Sequence, residues 1–129
     1  MSVGIWSGFH TPYNESEVRK YAPTSAGVYT LWVNYKSGKW GCFYVGKADN
    51  VESRLLDHLA TEEPNECIKG NVKYKCGFMW IEITTETERS GAEKYLYDVL
   101  KPECNQIDPG GTPLRISLPP TPPPTTPSP

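Results

Sequence analysis

Two runs of β-branched and aromatic residues, separated by a short polar segment, decide the fold of this 129-residue chain. They are Gly27-Val28-Tyr29-Thr30-Leu31-Trp32-Val33-Asn34-Tyr35 and Trp40-Gly41-Cys42-Phe43-Tyr44-Val45-Gly46. Residues of these types favour extended strands, and the intervening Lys36-Ser37-Gly38-Lys39 is typical of a turn. Two such runs around a glycine-containing turn predict a β-hairpin.

The hairpin predicts which residues face each other if the turn is centred on Ser37-Gly38. Directly opposite residues share a face of the sheet, so Tyr29 and Tyr44 project to the same side as diagonal neighbours. Gly46 lies opposite Tyr29 and predicts an opening where a ligand could approach the backbone. The predicted pairs are Tyr35–Trp40, Val33–Cys42, Leu31–Tyr44 and Tyr29–Gly46.

The rest of the chain predicts three helices and one further strand. We therefore expect an α+β fold (an α/β sandwich) in which a small antiparallel sheet of about three strands is flanked by helices. The expected segments are a short helix capped by Asn14 and ended by Pro23, a helix over 51–60 capped by Asp49 or Asn50, a loop over 61–75, a central strand over 76–84, and a helix opened by a capping box at Ser90 to Glu93 and stopped by Pro102.

One domain is expected over residues 1–118, followed by a disordered proline-rich tail over 119–129. The tail has seven prolines and no charge, which favours extended polyproline II structure. It could be a ligand for an SH3- or WW-type domain. A linker or spacer is the favoured interpretation, because no partner-specific residue stands out.

Charge restricts the partners. The net charge of −2 excludes a histone-like polycation, so DNA binding would need a local basic patch and would be weak and strongly salt-dependent. Glu62, Glu63 and Glu66 would repel phosphate from such a patch. The basic residues available for it are Lys36, Lys39, Lys47, Arg54, Lys69, Lys73 and Lys75.

Targeting and cysteine patterns indicate an intracellular, cytoplasmic protein with no membrane partner. No apolar run approaches the roughly 18 residues of a membrane-spanning helix, and the first residues do not resemble a secretory signal. Cys42, Cys67, Cys76 and Cys104 show no C-x-x-C spacing. We therefore expect them to be reduced thiols.

Three polar residues outside the hairpin are candidates for chemistry. Arg54 and His58 lie one helical turn apart and share one side of the predicted helix. Glu93 stands at the third position of the predicted capping box. Taken singly, each has an ordinary structural explanation, namely a solvated helix face for the first two and a helix cap for the third.

Taken together, these residues resemble the GIY-YIG nuclease family. Gly27-Val28-Tyr29 and Tyr44-Val45-Gly46 resemble its two signature triplets, with valine in place of isoleucine in each. Arg54, Glu93 and Asn105 then follow in the family's order, so the resemblance covers residues 26–105. The 14 residues between the triplets, Thr30 to Phe43, are slightly more than is typical of the family.

The resemblance implies a metal-dependent endonuclease that hydrolyses DNA phosphodiester bonds. Glu93 would hold one Mg²⁺ or Mn²⁺ ion, Arg54 would bind the scissile phosphate, and Tyr29 would be the general base while Tyr44 positions water or phosphate. A phenol with its ordinary pKa near 10 is a poor base, so the assignment of the two tyrosines stays open. His58 could take a phenol's proton. The expected supporting residues are Gly27, Gly46, Lys47 and Asn105.

Two other interpretations remain open. The domain could be a weakly active or inactive relative that binds branched or damaged DNA. It could also be one domain of a larger repair, restriction or mobile-element nuclease, or act as a homodimer or with a partner protein that supplies specificity.

Overall fold

The structure is a computed structural model that describes residues 3–34, 38–120 and 122. Within these residues, an antiparallel sheet with strand order β1-β4-β2-β3 is covered by helices on both faces. In chain order the elements are β1 Val3–Trp6, α1 Glu15–Tyr21, β2 Gly27–Asn34, β3 Trp40–Ala48, α2 Val51–Leu59, α3 Glu66–Asn71, β4 Lys75–Ile83 and α4 Glu86–Leu100. The fold class is α+β, as predicted.

The sheet has four strands where three were expected, because β1 was missed. This strand is only four residues long, contains Gly4 and leaves Ile5 almost fully exposed. It therefore lacks the regular alternation by which a half-buried strand is recognised in a sequence. Its position is set by pairing with β4 at the sheet edge and by a hydrogen bond of 2.8 Å from Trp6 Nε1 to the Ser117 carbonyl.

The predicted hairpin register is correct near the signature triplets and wrong by one residue beyond them. Tyr29 pairs with Gly46 and Leu31 with Tyr44, as expected. The register then shifts, so that Trp32 pairs with Cys42 and Val33 with Gly41. The cause is an extra residue, Phe43, in β3, which forms a β-bulge. The predicted Tyr35–Trp40 pair includes Tyr35, which lies outside the described residues.

All eight residues of β2 are buried, because its two faces lie under different helices. Tyr29 and Leu31 pack with residues of α1, α2 and α3, such as Leu55. Val28, on the other face, packs with Val45, Ile81 and the α4 residues Ala92 and Leu96. This alternation follows from the two-residue period of a strand.

The first two helices are as predicted, and Asn14 and Asn50 cap them. The segment 61–75 is not simply a loop, since it contains α3, which begins after Asn65. The last helix begins earlier than predicted, because Thr85 is its cap: the Thr85 hydroxyl accepts from the Glu88 N–H at 3.3 Å and donates to Glu88 Oε1 at 2.8 Å. Glu93 therefore lies in the interior of α4 and is not part of a cap.

The expectation of four reduced thiols is wrong for one pair. Cys67 and Cys104 form a disulfide between α3 and the segment after α4, whereas Cys42 and Cys76 are free. The two partners are 37 positions apart in the sequence, so only the folded chain brings them together.

The tail begins as a packed segment, because Pro119 and Pro122 are buried. Residues 121 and 123–129 lie outside the described residues, so the domain boundary at residue 118 stays a prediction. Within the described part of the chain, no helix has the length and apolar character required to cross a bilayer.

Candidate active site

The candidate site is built along the outer edge of β3, the strand at one side of the sheet. Asn105 pairs with Val45 as a neighbouring strand would: its Oδ1 accepts from the Val45 N–H at 2.9 Å, and its Nδ2 donates to the Val45 carbonyl at 2.8 Å. The Cys104 N–H donates to the Phe43 carbonyl at 2.7 Å. Glu93 lies beside the same edge, where the backbone N–H of Lys47 favours its charged form. The polar groups of this edge therefore hold Asn105 in place and face the carboxylate of Glu93.

A cavity of about 290 Å³ opens beside this edge and is called the site cavity below. It is lined by Tyr44, Asn65, Glu93, Asn105 and residues 106–109. Three predicted site residues, Tyr44 from β3, Glu93 from α4 and Asn105 from the following loop, thus share one concave surface. A cavity of about 680 Å³ between β1, α4 and the C-terminal segment contains none of them.

Glu93 is half-buried in α4, and this burial raises the pKa of its carboxyl group. The positive charge of Lys47 and its backbone N–H act in the opposite direction and lower this pKa. A carboxylate that is partly desolvated and incompletely paired favours a bound cation. Such a group suits a metal ligand better than a structural salt bridge.

Arg54 projects from α2 towards Tyr44. Its positive charge lowers the pKa of the Tyr44 hydroxyl, although burial has the larger effect and raises it. Almost half of the Arg54 side chain is exposed, and its contact with Asp57 is long, at 3.6 Å. Arg54 is therefore available to an anionic ligand at the site.

Tyr29, His58 and Glu63 form a buried hydrogen-bonded chain behind Tyr44. The Tyr29 hydroxyl lies 2.7 Å from His58 Nε2, and His58 Nδ1 lies 2.7 Å from Glu63 Oε2. Burial raises the pKa of Tyr29 well above its ordinary value, and it lowers the pKa of His58 despite the neighbouring Glu63. At neutral pH, Tyr29 is thus a neutral phenol and His58 a neutral imidazole.

The hydrogen bonds among Tyr29, His58 and Glu63 correct two expectations. His58 was assigned to the same helix side as Arg54, with a solvated face as the ordinary explanation, yet its side chain is only 1% exposed and contacts the Tyr44 ring at 5.0 Å between ring centroids. Glu63 was expected to repel phosphate from a loop, but it is buried against His58. No sequence pattern identified Glu63, because its partner is supplied by tertiary packing.

The two signature glycines, Gly27 and Gly46, allow other groups of the protein to pack directly against their backbones. The predicted ligand opening at Gly46 is wrong, since a Cβ atom there would collide with the hydroxyl and ring of Tyr29. Tyr29 itself fills that space. A Cβ atom at Gly27 would collide with the Ile81 carbonyl on β4. Both glycines therefore position Tyr29 and β2.

Lys47 lies near the site but is engaged by α4. Its Nζ donates to Glu86 Oε1 at 2.5 Å and to Ser90 Oγ at 2.8 Å. Hydrogen bonds from Lys47 and Arg89 lower the pKa of Glu86 to about 2. Lys47 thus acts on Glu93 through its charge and its backbone N–H. Of the other predicted basic residues, Lys39, Lys73 and Lys75 are exposed, while Lys36 lies outside the described residues.

A divalent cation fits this donor set only as a water-rich ion. Within residues 3–34, 38–120 and 122, no group of three or more His, Cys, Asp or Glu side chains could enclose a metal. Glu93 offers a hard carboxylate oxygen in an open cavity, whereas the Asn105 amide is occupied by Val45. Mg²⁺ accepts one carboxylate and completes its shell with waters and substrate phosphate oxygens.

Two solved structures resemble this architecture. Both are crystal structures of the GIY-YIG N-terminal endonuclease domain of UvrC from Thermotoga maritima, each a different tyrosine-to-phenylalanine point mutant with its catalytic divalent cation bound. The first is 25% identical and the second 24%, and each matches with a TM-score of 0.51 over 68% of this chain and 93% of that chain. The chain has the GIY-YIG nuclease superfamily fold.

The GIY-YIG fold confirms the resemblance inferred from the two triplets, and the similarity to the UvrC domain supports a nuclease function. No protein-family model and no curated protein matches the sequence.

Proposed function

We propose that this domain is an endonuclease that hydrolyses DNA phosphodiester bonds with one divalent cation, Mg²⁺ or Mn²⁺. One observation carries the proposal: on a GIY-YIG fold, the phenol of Tyr44 and the carboxylate of Glu93 line one cavity, with Arg54 close enough for its charge to lower the pKa of that phenol. Phosphodiester hydrolysis needs a group that activates water and groups that neutralise charge on the phosphate.

Each polar group at or beside the site cavity has a distinct role in this proposal. Glu93 holds the cation, which when bound neutralises phosphate charge and supplies ordered waters. Arg54 has a planar guanidinium that can pair with two phosphate oxygens, and it can exchange its weak contact with Asp57 for this one. Tyr44 positions the phosphate or the attacking water. Asn105 holds the loop that forms the cavity wall.

Tyr29 accepts the proton of the attacking water in this proposal. Its raised pKa argues against a free phenolate, but His58 Nε2 is within hydrogen-bond distance of its hydroxyl. Tyr29 can accept one proton while it passes its own to His58, so that the phenol stays neutral throughout. Tyr29 has no exposed surface in the free protein, so this role requires that substrate binding admit a water molecule beside its hydroxyl.

The experiment is a cleavage panel of supercoiled, single-stranded, branched and damaged DNA, with Mg²⁺, with Mn²⁺ or with chelator. The full chain should cut at least one substrate in the presence of metal only. Glu93→Gln should reduce the rate about a hundredfold or more, the scale expected for loss of one electrostatic stabiliser of the transition state. Because Glu93 lies inside α4 and caps nothing, the variant should keep the melting temperature of the native protein.

Glu88→Gln is the matched control. Glu88 is on the same helix, accepts a hydrogen bond from the hydroxyl of the Thr85 cap and does not line the site cavity. This variant should therefore cut DNA normally and lose a little stability. If the native protein leaves the whole panel intact, the nuclease proposal is wrong, and a DNA-binding module takes its place if the branched or damaged substrates are bound.

A further inference from the structure

Both carboxylate oxygens of Glu63 have a defined hydrogen-bond partner. Oε1 accepts from the Asn65 N–H at 2.9 Å, and Oε2 lies 2.7 Å from His58 Nδ1. The side chains of Glu63 and His58 are only 5% and 1% exposed, so no solvent competes for these contacts. A carboxylate can only accept hydrogen bonds, and it therefore requires a proton on Nδ1 of His58.

The position of that proton controls Tyr29. A neutral imidazole with hydrogen on Nδ1 has a lone pair on Nε2, and Nε2 then accepts the hydroxyl hydrogen of Tyr29 at 2.7 Å. The Tyr29 oxygen is left with its lone pairs free to accept another hydrogen. In the other tautomer, Nε2 would donate to that oxygen, and the hydroxyl hydrogen would point elsewhere.

We propose that Glu63 is a positioning residue that holds His58 in the Nδ1–H tautomer, so that the pair of Tyr29 and His58 can remove a proton from the attacking water. This inference rests on the proposed nuclease function. It concerns Glu63, a residue that is not among those on which the resemblance to the GIY-YIG family was based.

One O–H bond of water breaks and its proton passes to the Tyr29 oxygen, while the Tyr29 proton passes to His58 Nε2. The water oxygen bonds to phosphorus, the ester P–O bond breaks, and the leaving oxygen takes a proton from bulk water. His58 becomes an imidazolium, which later returns its proton to solvent through Tyr29.

Glu63 also stabilises the imidazolium that this step creates. A buried cation without a partner is strongly disfavoured, and Glu63 faces it at hydrogen-bond distance. The other charged groups near His58 are Arg54, which opposes a positive charge there, and Asp57, which favours one. Both lie on the same helix as His58, and their side chains are about half exposed, so solvent screens them and Glu63 dominates.

Glu63→Gln is the variant that tests this role without removing the packing. The amide oxygen can keep the hydrogen bond from the Asn65 N–H, which leaves the NH₂ group facing His58 Nδ1. Because NH₂ is a donor, Nδ1 must then accept, and the His58 proton moves to Nε2. Tyr29 can no longer give its proton to His58. Glu63→Asp keeps the charge and serves as the conservative comparison.

The tautomer is measured directly by ¹⁵N NMR of the imidazole rings in the full chain. The native protein should carry its His58 proton on Nδ1 and Glu63→Gln on Nε2, while the ring of His10, the other histidine, should be unchanged in both. In cleavage assays, Glu63→Gln should lower kcat roughly 10²- to 10⁴-fold, the usual range for general acid–base catalysis, with KM unchanged. Glu63→Asp should recover part of the rate.

A double-variant comparison separates positioning from simple structural support. If Glu63 acts through His58, then His58→Gln loses as much activity as Glu63→Gln, and the double variant loses no more than either. Independent, multiplying losses would overturn the proposal, as would a native His58 protonated on Nε2, or Glu63→Gln cutting as fast as the native protein. If the native protein cuts no DNA, the nuclease function itself fails, and this proposal fails with it.

Discussion

Replacing Gly46 with alanine tests whether the signature glycine accommodates a ligand or the protein's own tyrosine. The structure shows that an alanine Cβ would collide with the Tyr29 hydroxyl and ring. Tyr29 has no free space to retreat into, since it is fully buried and bonded to His58. We therefore expect Gly46→Ala to destabilise the protein even without DNA or metal.

The size of the effect follows from two contributions. An added methyl group in a packed interior costs about 1–3 kcal/mol. Displacement of Tyr29 also weakens its hydrogen bond to His58, worth about 0.5–1.5 kcal/mol. The free energy of unfolding should thus fall by about 1.5–4.5 kcal/mol, which for a domain of this size corresponds to roughly 6–18 °C in melting temperature.

Gly41→Ala is a matched control on the same strand. A Cβ atom at Gly41 meets nothing within 4 Å, and alanine has less conformational freedom to lose on folding than glycine. This variant should be as stable as the native protein or slightly more so. Urea unfolding followed by far-UV circular dichroism measures both variants, and thermal melts provide the second estimate.

Unfolding of Gly46→Ala and Gly41→Ala at the same urea concentration would refute the close packing of Tyr29 against Gly46. That result would mean that Gly46 borders open space, as the sequence pattern alone had predicted. If Gly46→Ala is destabilised but still cuts DNA at the native rate, the packing of Tyr29 against Gly46 is supported. The exact position of Tyr29 would then not matter for catalysis.

Two further predictions concern stability. Reduction of the Cys67–Cys104 disulfide should lower the free energy of unfolding by about 4 kcal/mol, because the bond closes a 37-residue loop; the Cys67→Ser/Cys104→Ser variant should not respond to the reductant, and identical urea midpoints for the oxidised and reduced native protein would contradict this. Burial lowers the pKa of His58 from its ordinary 6.5 in the folded protein, so the unfolded chain binds the proton first as pH falls. The stability contributed by neutral His58 is therefore present above about pH 6.5 and is lost on acidification. Between pH 7.5 and pH 5.5, the melting temperature of the native protein should decrease more than that of His58→Gln. Equal decreases would exclude this effect.

Local sequence patterns were sufficient for the parts of the fold that depend on neighbours in the chain. The strand-forming runs, the Asn14 cap and the end of the last helix before Pro102 are all determined by residues a few positions apart. The pairing of Tyr29 with Gly46 was also predictable, because the turn and the two-residue period set the register up to the bulge.

The errors arose where a local signal was ambiguous or absent. Ser90 to Glu93 matches a capping box as well as Thr85 to Glu88 does, and only the latter begins the helix. The bulge at Phe43 is not encoded by any residue type that distinguishes it from a regular strand. The short strand β1 depends on β4 for its hydrogen bonds, so its own four residues carry little information.

The sequence by itself determined the fold family and the types of side chain that the chemistry uses. The two triplets are local patterns, and Arg54, Glu93 and Asn105 are recognised by their order along the sequence. Tertiary structure alone decided which groups touch. It buried Glu63 against His58, filled the space at Gly46 with Tyr29 and joined Cys67 to Cys104. The physical reason is that hydrogen bonds, packing and disulfides depend on distances in space, and segments far apart in a chain reach those distances only after the core has formed.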